Sequence, residues 1–123
     1  MRIQFFVEGD SEQKILPGFI GHWLNSQLSA PIDIPIPIKF SGCGHFLKQI
    51  GNAAKGHLEA SDSTDLIAAI GLLDLKGPEH DDFYPSNMTT AQERYEWGKR
   101  DIERRVNHPK FHMFFAVHEI EAW

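Results

Sequence analysis

LIAAIGLL, at residues 66–73, is apolar along its whole length and is followed directly by Asp74. A short apolar run of this kind is typical of a strand that is buried on both faces, as strands of parallel sheets are. The segments IQFFV at 3–7 and FHMFFAV at 111–117 have the same character. These stretches predict three core strands of one sheet.

Stretches with apolar residues at helical spacing separate these strands, which predicts helices between them. Pro17 lies inside the first helical pattern and predicts a kink or a later start. Thr89 or Thr90 can cap the last helix, with Glu93 as the capping-box partner. Isoleucine alternates with proline in 34–40, which predicts an edge strand at best. The predicted helices cover about 12–28, 45–58 and 90–106.

Strands that alternate with helices predict an α/β fold, with a mostly parallel four-stranded sheet flanked by helices. The length of 123 residues predicts a single domain, 1–123. The chain ends at Trp123, directly after a strand and an acidic motif, so we expect the domain to be truncated at its C-terminus.

The formal net charge of −5 argues against a module that binds nucleic acid through bulk positive charge. It does not exclude an enzyme that reaches phosphates through bound metal. The one cysteine, Cys43, rules out a disulfide framework within the chain and favours a reducing, cytoplasmic location. Neither a signal peptide nor an apolar run long enough to span a membrane is apparent.

Acidic residues follow the predicted strands at the point where each strand ends. Glu8 follows the first strand, Asp74 follows LIAAIGLL, and Glu119 lies just after the last strand. The carboxyl ends of parallel strands share one edge, where ligand sites of open α/β sheets lie. Glu12 falls in the first turn of the next helix, and Glu121 shares a face with Glu119 if the strand conformation continues. We therefore expect these carboxylates to converge.

Clustered carboxylates repel one another unless a cation neutralises them. Their oxygen atoms suit Mg²⁺ or Mn²⁺, with Ca²⁺ as an alternative. Ions of this kind clamp phosphate oxygens and generate a nucleophilic water, which favours phosphodiester chemistry. Each acid taken alone has an ordinary explanation, because strand ends are exposed and helix N-termini favour negative charge. The prediction therefore depends on the acids occurring together.

The opening VEGDSE, at residues 7–12, resembles the VEGxTE motif of Toprim domains in nucleases of the overcoming-lysogenization-defect (OLD) type. The strand that ends in Asp74 resembles the aspartate strand of those domains. The ending HEIEAW at 118–123, with SGCGHFL at 41–47, is still more similar to a Toprim-like domain-of-unknown-function family, number 4276. Members of that family often lie beside ATPases in bacterial genomes, including phage-defence loci. The resemblance covers almost the whole chain.

The resemblance implies roles for individual residues. Glu8 and Glu12 match glutamates that bind or serve the metal, and Asp74 matches the first aspartate of the Toprim Asp-x-Asp motif. Glu119 and Glu121 match the acids of the HExE ending. The sequence departs from the pattern at the second aspartate, where Lys76 stands. A charged lysine cannot be a metal ligand but can contact a phosphate, so a two-metal mechanism is in doubt.

Cys43-Gly44-His45 offers two zinc ligands, but a glycine-rich turn that presents backbone N–H groups to a phosphate, with Lys48 nearby, is the alternative. His80-Asp81-Asp82 lies in the predicted loop after Asp74. These residues either contribute to the site or belong to a solvent-exposed acidic loop. His118 is either a general base or a packed side chain. The basic segment 99–105 predicts either a contact with DNA or a solvated helix face.

The first hypothesis is a divalent-metal-dependent nuclease or phosphotransfer domain of Toprim type, part of a bacterial defence system with an ATPase partner. Mg²⁺ or Mn²⁺ is held by Glu8, Asp74, Glu119 and Glu121, while Glu8 and Glu12 serve catalysis. Lys48 and Lys76 bind the substrate, a nucleic acid. The second hypothesis is a non-catalytic binding or assembly module, and the third is a nucleotide-binding or receiver-like domain. An uncovered apolar sheet face would favour a homo-oligomer.

Overall fold

The computed structural model describes residues 1–9, 18, 21–23, 26–27, 32–60, 63–75, 78 and 83–116. The regular elements in this part of the chain are β1 (Arg2–Val7), β2 (Ile38–Lys39), α1 (Cys43–Leu58), a 3-10 turn (Ser63–Asp65), β3 (Leu66–Asp74), α2 (Ala91–Val106) and β4 (Phe111–Ala116). Positions 18, 21–23 and 26–27 are also helical, and the rest of the helix predicted over 12–28 lies outside the described residues.

The described strands form a four-stranded sheet in the order β2-β1-β3-β4, and every neighbouring pair is parallel. Val7 pairs with Leu72 on one side and with Lys39 on the other. Asp74 pairs with Ala116. The predicted α/β fold with a parallel sheet flanked by helices is therefore confirmed.

One face of the sheet packs against α1 and α2. Phe46 and Ile50 of α1, Ile102 and Val106 of α2 and Met113 of β4 are fully buried in this layer. Complete burial of an apolar side chain of this size stabilises the fold by about 1.5–3 kcal/mol. The periodicity that predicted the two helices thus corresponds to the faces that they bury.

The centre of this layer requires glycine at position 71 in β3. A Cβ atom there would lie 2.6 Å from Met113 Sδ and 3.3 Å from Phe46 Cζ. Phe46 and Met113 therefore pack directly on the backbone of β3, which brings α1 close to the centre of the sheet.

The opposite face carries a second cluster formed by Ile3, Phe5, Val7, Ile32 and Leu72. Buried Gly21 of the N-terminal helical segment lies next to this cluster, because a Cβ atom at Gly21 would be 3.8 Å from Ile34 Cγ1.

Phe114 of β4 alternates with residues of the first layer, so it lies on the second face, and it is 41% exposed. This face is therefore less covered at Phe114 of β4 than at Phe5 of β1, which is 5% exposed.

The edge strand β2 is shorter than the predicted 34–40, because only Ile38 and Lys39 pair with β1. Pro35 and Pro37 interrupt the segment before it, and prolines cannot donate to a ladder. An isolated bridge between Arg2 and Asp33 holds the start of this segment against β1. The prediction of an edge position is confirmed.

The predicted capping box at the start of α2 is present. The Thr90 hydroxyl accepts the N–H of Glu93 at 3.1 Å, and the Glu93 carboxylate accepts the N–H of Thr90 at 3.2 Å. Asn107, in the left-handed conformation with φ of 54°, ends the helix. These end signals fix α2 between the carboxyl end of β3 and the amino end of β4.

Candidate functional site at the carboxyl edge of the sheet

Glu8 and Asp74 lie at the same edge of the sheet, on adjacent strands. Because β1 and β3 are parallel and Val7 pairs with Leu72, both strands end at this edge. Glu8 is the first residue beyond β1, and Asp74 is the last residue of β3. Both are partly buried. The predicted placement of these two acids at one edge is confirmed.

The two carboxylates leave their strands in different ways. Asp74 still pairs with Ala116, and strand alternation places it on the face of Leu72 and Ile70, which belongs to the second cluster. The backbone bends at Glu8 and Gly9, so the alternation of side chains between the two faces of β1 does not set the direction of the Glu8 side chain. The site therefore combines a carboxylate fixed by the sheet with one carried on a bend.

The same edge brings in Lys39, which the sequence analysis did not single out. Lys39 is the last residue of β2, is exposed and pairs with Val7, so it ends beside Glu8. The alternating isoleucines and prolines of 34–40 predicted only an edge strand. The register of β2 that places Lys39 depends on tertiary pairing and has no local signal.

Helix α1 also begins at this edge, directly after β2. Gly42, with φ of 94°, is its N-cap, and no side chain caps the helix. No acidic residue lies in its first turn. The positive end of the helix dipole and the backbone N–H groups of the first turn are therefore directed towards this edge, an arrangement that favours anions.

The geometry of Ser41–His45 agrees with the glycine-rich turn, which the sequence favoured over a zinc site. The Ser41 N–H donates to His45 Nδ1 at 3.0 Å, which occupies one of the two ring nitrogens. The His45 ring also packs edge-on against Phe40, at 5.4 Å between ring centroids. His45 thus holds the turn that precedes α1.

Lys48, predicted to bind substrate, lies on α1 one turn after the start of the helix and is exposed. Its ammonium can reach an anion near the N-terminus of α1 without a cost for burial. The other predicted site residues, namely Glu12, Lys76, Glu119 and Glu121, lie outside the described residues, as do His80, Asp81, Asp82 and His118.

Within the described ranges, no group of three or more His, Cys, Asp or Glu side chains is placed to hold a metal ion. Glu8 and Asp74 alone supply two carboxylates, and Mg²⁺ commonly uses one or two protein carboxylates with water and phosphate as its remaining ligands. The described donor set therefore fits a hard cation that is shared with a phosphate.

The profile of a family described as "Domain of unknown function (DUF4276)" matches residues 7–123. The chain belongs to this family. The match includes Glu8 and Asp74 as well as the HEIEAW ending at 118–123. Neither a curated protein nor a solved structure matches the chain significantly.

The DUF4276 chain carries an aromatic block close to Asp74. Phe83 and Trp97 meet edge-on at 4.9 Å between ring centroids, and Tyr84 lies 6.2 Å from Trp97. The Tyr84 hydroxyl donates to the carbonyl of Leu75 at 2.7 Å, and Leu75 directly follows Asp74. The segment before α2 is therefore fixed to the end of β3.

The basic segment 99–105 is only partly a solvated helix face. Asp101 is 8% exposed and forms ion pairs with Arg104 and, at 2.8 Å, with Arg105. Arg105 also donates to the carbonyl of Leu47 in α1 at 3.1 Å. These contacts join the two helices and hold two guanidinium groups near the surface.

A cavity of about 510 Å³ lies at the opposite, amino edge of the sheet, where it is lined by Arg2, Asn52 and His57. Arg2 pairs there with Asp65 at 3.1 Å. This cavity contains none of the acids discussed above. Among the helices in the described ranges, none is both long enough and apolar enough to cross a membrane.

Proposed function

We propose that this domain is a Mg²⁺- or Mn²⁺-dependent phosphodiesterase, a nuclease of Toprim type. The observation that carries the proposal is the parallel pairing of β1 with β3, which brings Glu8 and Asp74 to one edge. Neighbouring strands lie about 4.8 Å apart, so carboxylates at their ends can share one cation. The positive end of α1 and the exposed Lys39 and Lys48 at the same edge are suited to the phosphate of a substrate.

In the proposed site, Glu8 and Asp74 bind the metal, and Glu119 and Glu121 complete its ligand set. A cation held by these residues would lower the pKa of a water molecule and would neutralise charge on the phosphate. Glu8 and Glu12 serve catalysis, with Glu12 accepting the proton of the attacking water. The water oxygen would bond to phosphorus as the bond to the leaving oxygen breaks, the leaving oxygen would take a proton from solvent, and Glu12 would release its proton to solvent.

The substrate phosphate is positioned by the cationic groups of the site. Lys48 approaches it from α1, and Lys76, two residues after Asp74, stabilises its developing charge. This assigns Lys76 a role that an aspartate could not perform, and it favours a mechanism with one metal. By the Toprim-like resemblance, we propose an ATPase partner and a role in phage defence.

Calorimetric titration with Mn²⁺ tests the metal site. We expect binding to the wild type and a loss of at least tenfold in affinity in Glu8→Gln and Asp74→Asn, because each removes a charged ligand. Glu59→Gln is the matched control, since Glu59 is exposed and lies at the far end of α1. Failure of the wild type to bind Mn²⁺, or equal binding by Glu8→Gln, would refute the site.

Cleavage of labelled DNA and RNA with Mn²⁺ and with EDTA tests the activity. We expect cleavage with Mn²⁺ and none in EDTA or with Glu8→Gln. The second candidate function, a non-catalytic binding or assembly module, is favoured by Lys76 at the position of the second aspartate. Mn²⁺ binding that depends on Glu8, with no cleavage of either nucleic acid, would support it.

A further inference from the structure

The outer surface of α2 carries a hollow of about 130 Å³ that is lined by Trp97, Arg100, Asp101 and Arg104. Arg100 is exposed, and the Arg104 side chain is 78% exposed. Trp97 is half-buried. An aromatic ring that shares a hollow with two accessible guanidinium groups is the combination that binds single-stranded nucleic acid, in which bases stack on the ring and arginines hold the phosphates.

Two of the three side chains, Trp97 and Arg104, are held by contacts within the protein. Trp97 is held by edge contacts with Phe83 and Tyr84. Arg104 is anchored by buried Asp101, which keeps its planar group beside the hollow. Arg100 makes no ion pair with the residues that the structure describes. Preorganisation lowers the entropic cost of ordering side chains on binding.

The local charge favours an anion although the whole chain is negative. Arg104 and Arg105 pair with the one buried carboxylate, that of Asp101, while Arg100 is exposed, so these four side chains together carry an excess of positive charge. The hollow is smaller than the roughly 300–1,000 Å³ of pockets that enclose a drug-sized ligand. It therefore suits one phosphate of a strand that passes over the surface.

The hollow is also linked to the carboxyl edge of the sheet. Tyr84, which contacts Trp97, is hydrogen-bonded to Leu75, the residue after Asp74. Helix α2 runs from this edge towards the start of β4, so the hollow lies on an element that begins at the edge where β3 ends.

We propose that Trp97, Arg100 and Arg104 form a subsite for single-stranded nucleic acid, in which a base stacks on Trp97 and the arginines bind an adjoining phosphate. The proposal rests on the proposed function for the identity of the ligand. It does not depend on the metal, because the subsite contains none of the acids assigned to metal binding.

Fluorescence anisotropy with labelled oligothymidylate in EDTA tests the subsite separately from metal binding and cleavage. We expect the full chain to bind with an affinity that falls as salt rises. Trp97→Leu should weaken binding by about 5- to 100-fold, the range for loss of one stacked base. Arg100→Gln should weaken binding and reduce the salt slope by about one.

Lys55→Gln is the matched control, because it removes the same charge from the last turn of α1, away from the hollow. Its binding should equal that of the wild type. Trp97→Phe, which keeps an aromatic ring against Phe83, should bind between the wild type and Trp97→Leu, and melting curves show whether each variant is folded. A duplex competitor should bind less tightly than the single strand.

Four results would each overturn the subsite: no binding by the wild type in EDTA, wild-type affinity in both Trp97→Leu and Arg100→Gln, an equal loss in Lys55→Gln, or a preference for duplex. Failure of Mn²⁺ binding with a Trp97-dependent affinity intact would count against the metal site alone.

Discussion

Val7 of β1 pairs with Leu72 of β3 in parallel, and this register brings Glu8 and Asp74 to one edge of the sheet. A slip of one residue would reverse the faces of all side chains of a strand, so the register is held by burial of alternate residues. Val7 and Leu72 both belong to the second cluster, and Phe6 and Leu73 both belong to the first. The two hydrophobic layers therefore fix the relative position of the acids.

Lys76→Asp tests whether the end of β3 faces a metal. If Asp74 is a ligand, a second carboxylate two residues later adds negative charge to the site, and affinity for Mg²⁺ should rise about tenfold. The measurement is calorimetric titration of the variant and the wild type. Lys55→Asp makes the same charge change on α1 and should leave the affinity within about twofold. Equal affinity of Lys76→Asp and wild type would count against a metal at Asp74.

The ends of the strands could be predicted from the sequence, because a strand buried on both faces is apolar at nearly every position and the apolar run stops where the strand ends. LIAAIGLL was predicted to end before Asp74, and β3 continues by one residue to include it. The helix predicted over about 45–58 begins earlier, at Cys43, because Gly42 serves as N-cap without a side-chain signal. The parallel sheet and one shared edge for Glu8 and Asp74 followed from these elements.

The contacts of α2 were not predictable, because charged residues in alternation are typical of a solvated face. Asp101 is instead buried between two arginines, and Glu103 reaches the backbone of Met113 in β4. Both features depend on which element packs beside the helix. The position of Lys39 beside Glu8 has the same origin, since it follows from pairing of β2 with β1.

Gly71→Ala should destabilise the domain. The new methyl group would lie 2.6 Å from Met113 Sδ in a fully buried layer, and overpacking of this kind costs about 1–3 kcal/mol. Gly56→Ala is the matched control, because nothing lies within 4 Å of a Cβ atom there. Within a helix that change should stabilise by about 0.5–1 kcal/mol. Urea denaturation measures both, and equal midpoints would contradict the packing described around β3.

Thr90→Ala should lower the free energy of unfolding by about 1 kcal/mol at neutral pH, since it removes an N-cap. Hydrogen bonds from the side chain and backbone of Thr90 lower the pKa of Glu93 below its usual 4.5. A lowered pKa contributes stability that is present above pH 4.5 and is lost as the pH falls through the folded-state pKa. The difference between wild type and Thr90→Ala should therefore shrink below that pH.

Denaturation of both proteins at neutral pH and at about pH 3 measures this change. Thr89→Ala, which makes the same substitution at the preceding exposed residue, should show no comparable dependence on pH. A Thr90→Ala deficit that is unchanged at about pH 3 would show that the carboxylate of Glu93 has no part in the cap.

Glu103→Ala should leave a backbone N–H group without a partner on the outer edge of β4. Glu103 accepts the N–H of Met113 at 2.9 Å, and Lys99 donates to the Met113 carbonyl at 2.9 Å, so this ion pair satisfies both outward backbone groups of one edge residue. Lys99 also lies 4.3 Å from the ring centroid of Phe114, which is partly exposed. Unpaired backbone groups beside exposed apolar surface favour pairing with another chain.

We expect Glu103→Ala to lose about 1–2 kcal/mol of stability through the hydrogen bond to a charged group. We also expect it to self-associate at concentrations where the wild type keeps its own oligomeric state. Sedimentation velocity measures the association. Glu96→Ala is the control, because Glu96 is exposed on the same helix and contacts Gln92 rather than β4. If Glu103→Ala sediments as the wild type does, the ion pair stabilises α2 on β4 without protecting the edge.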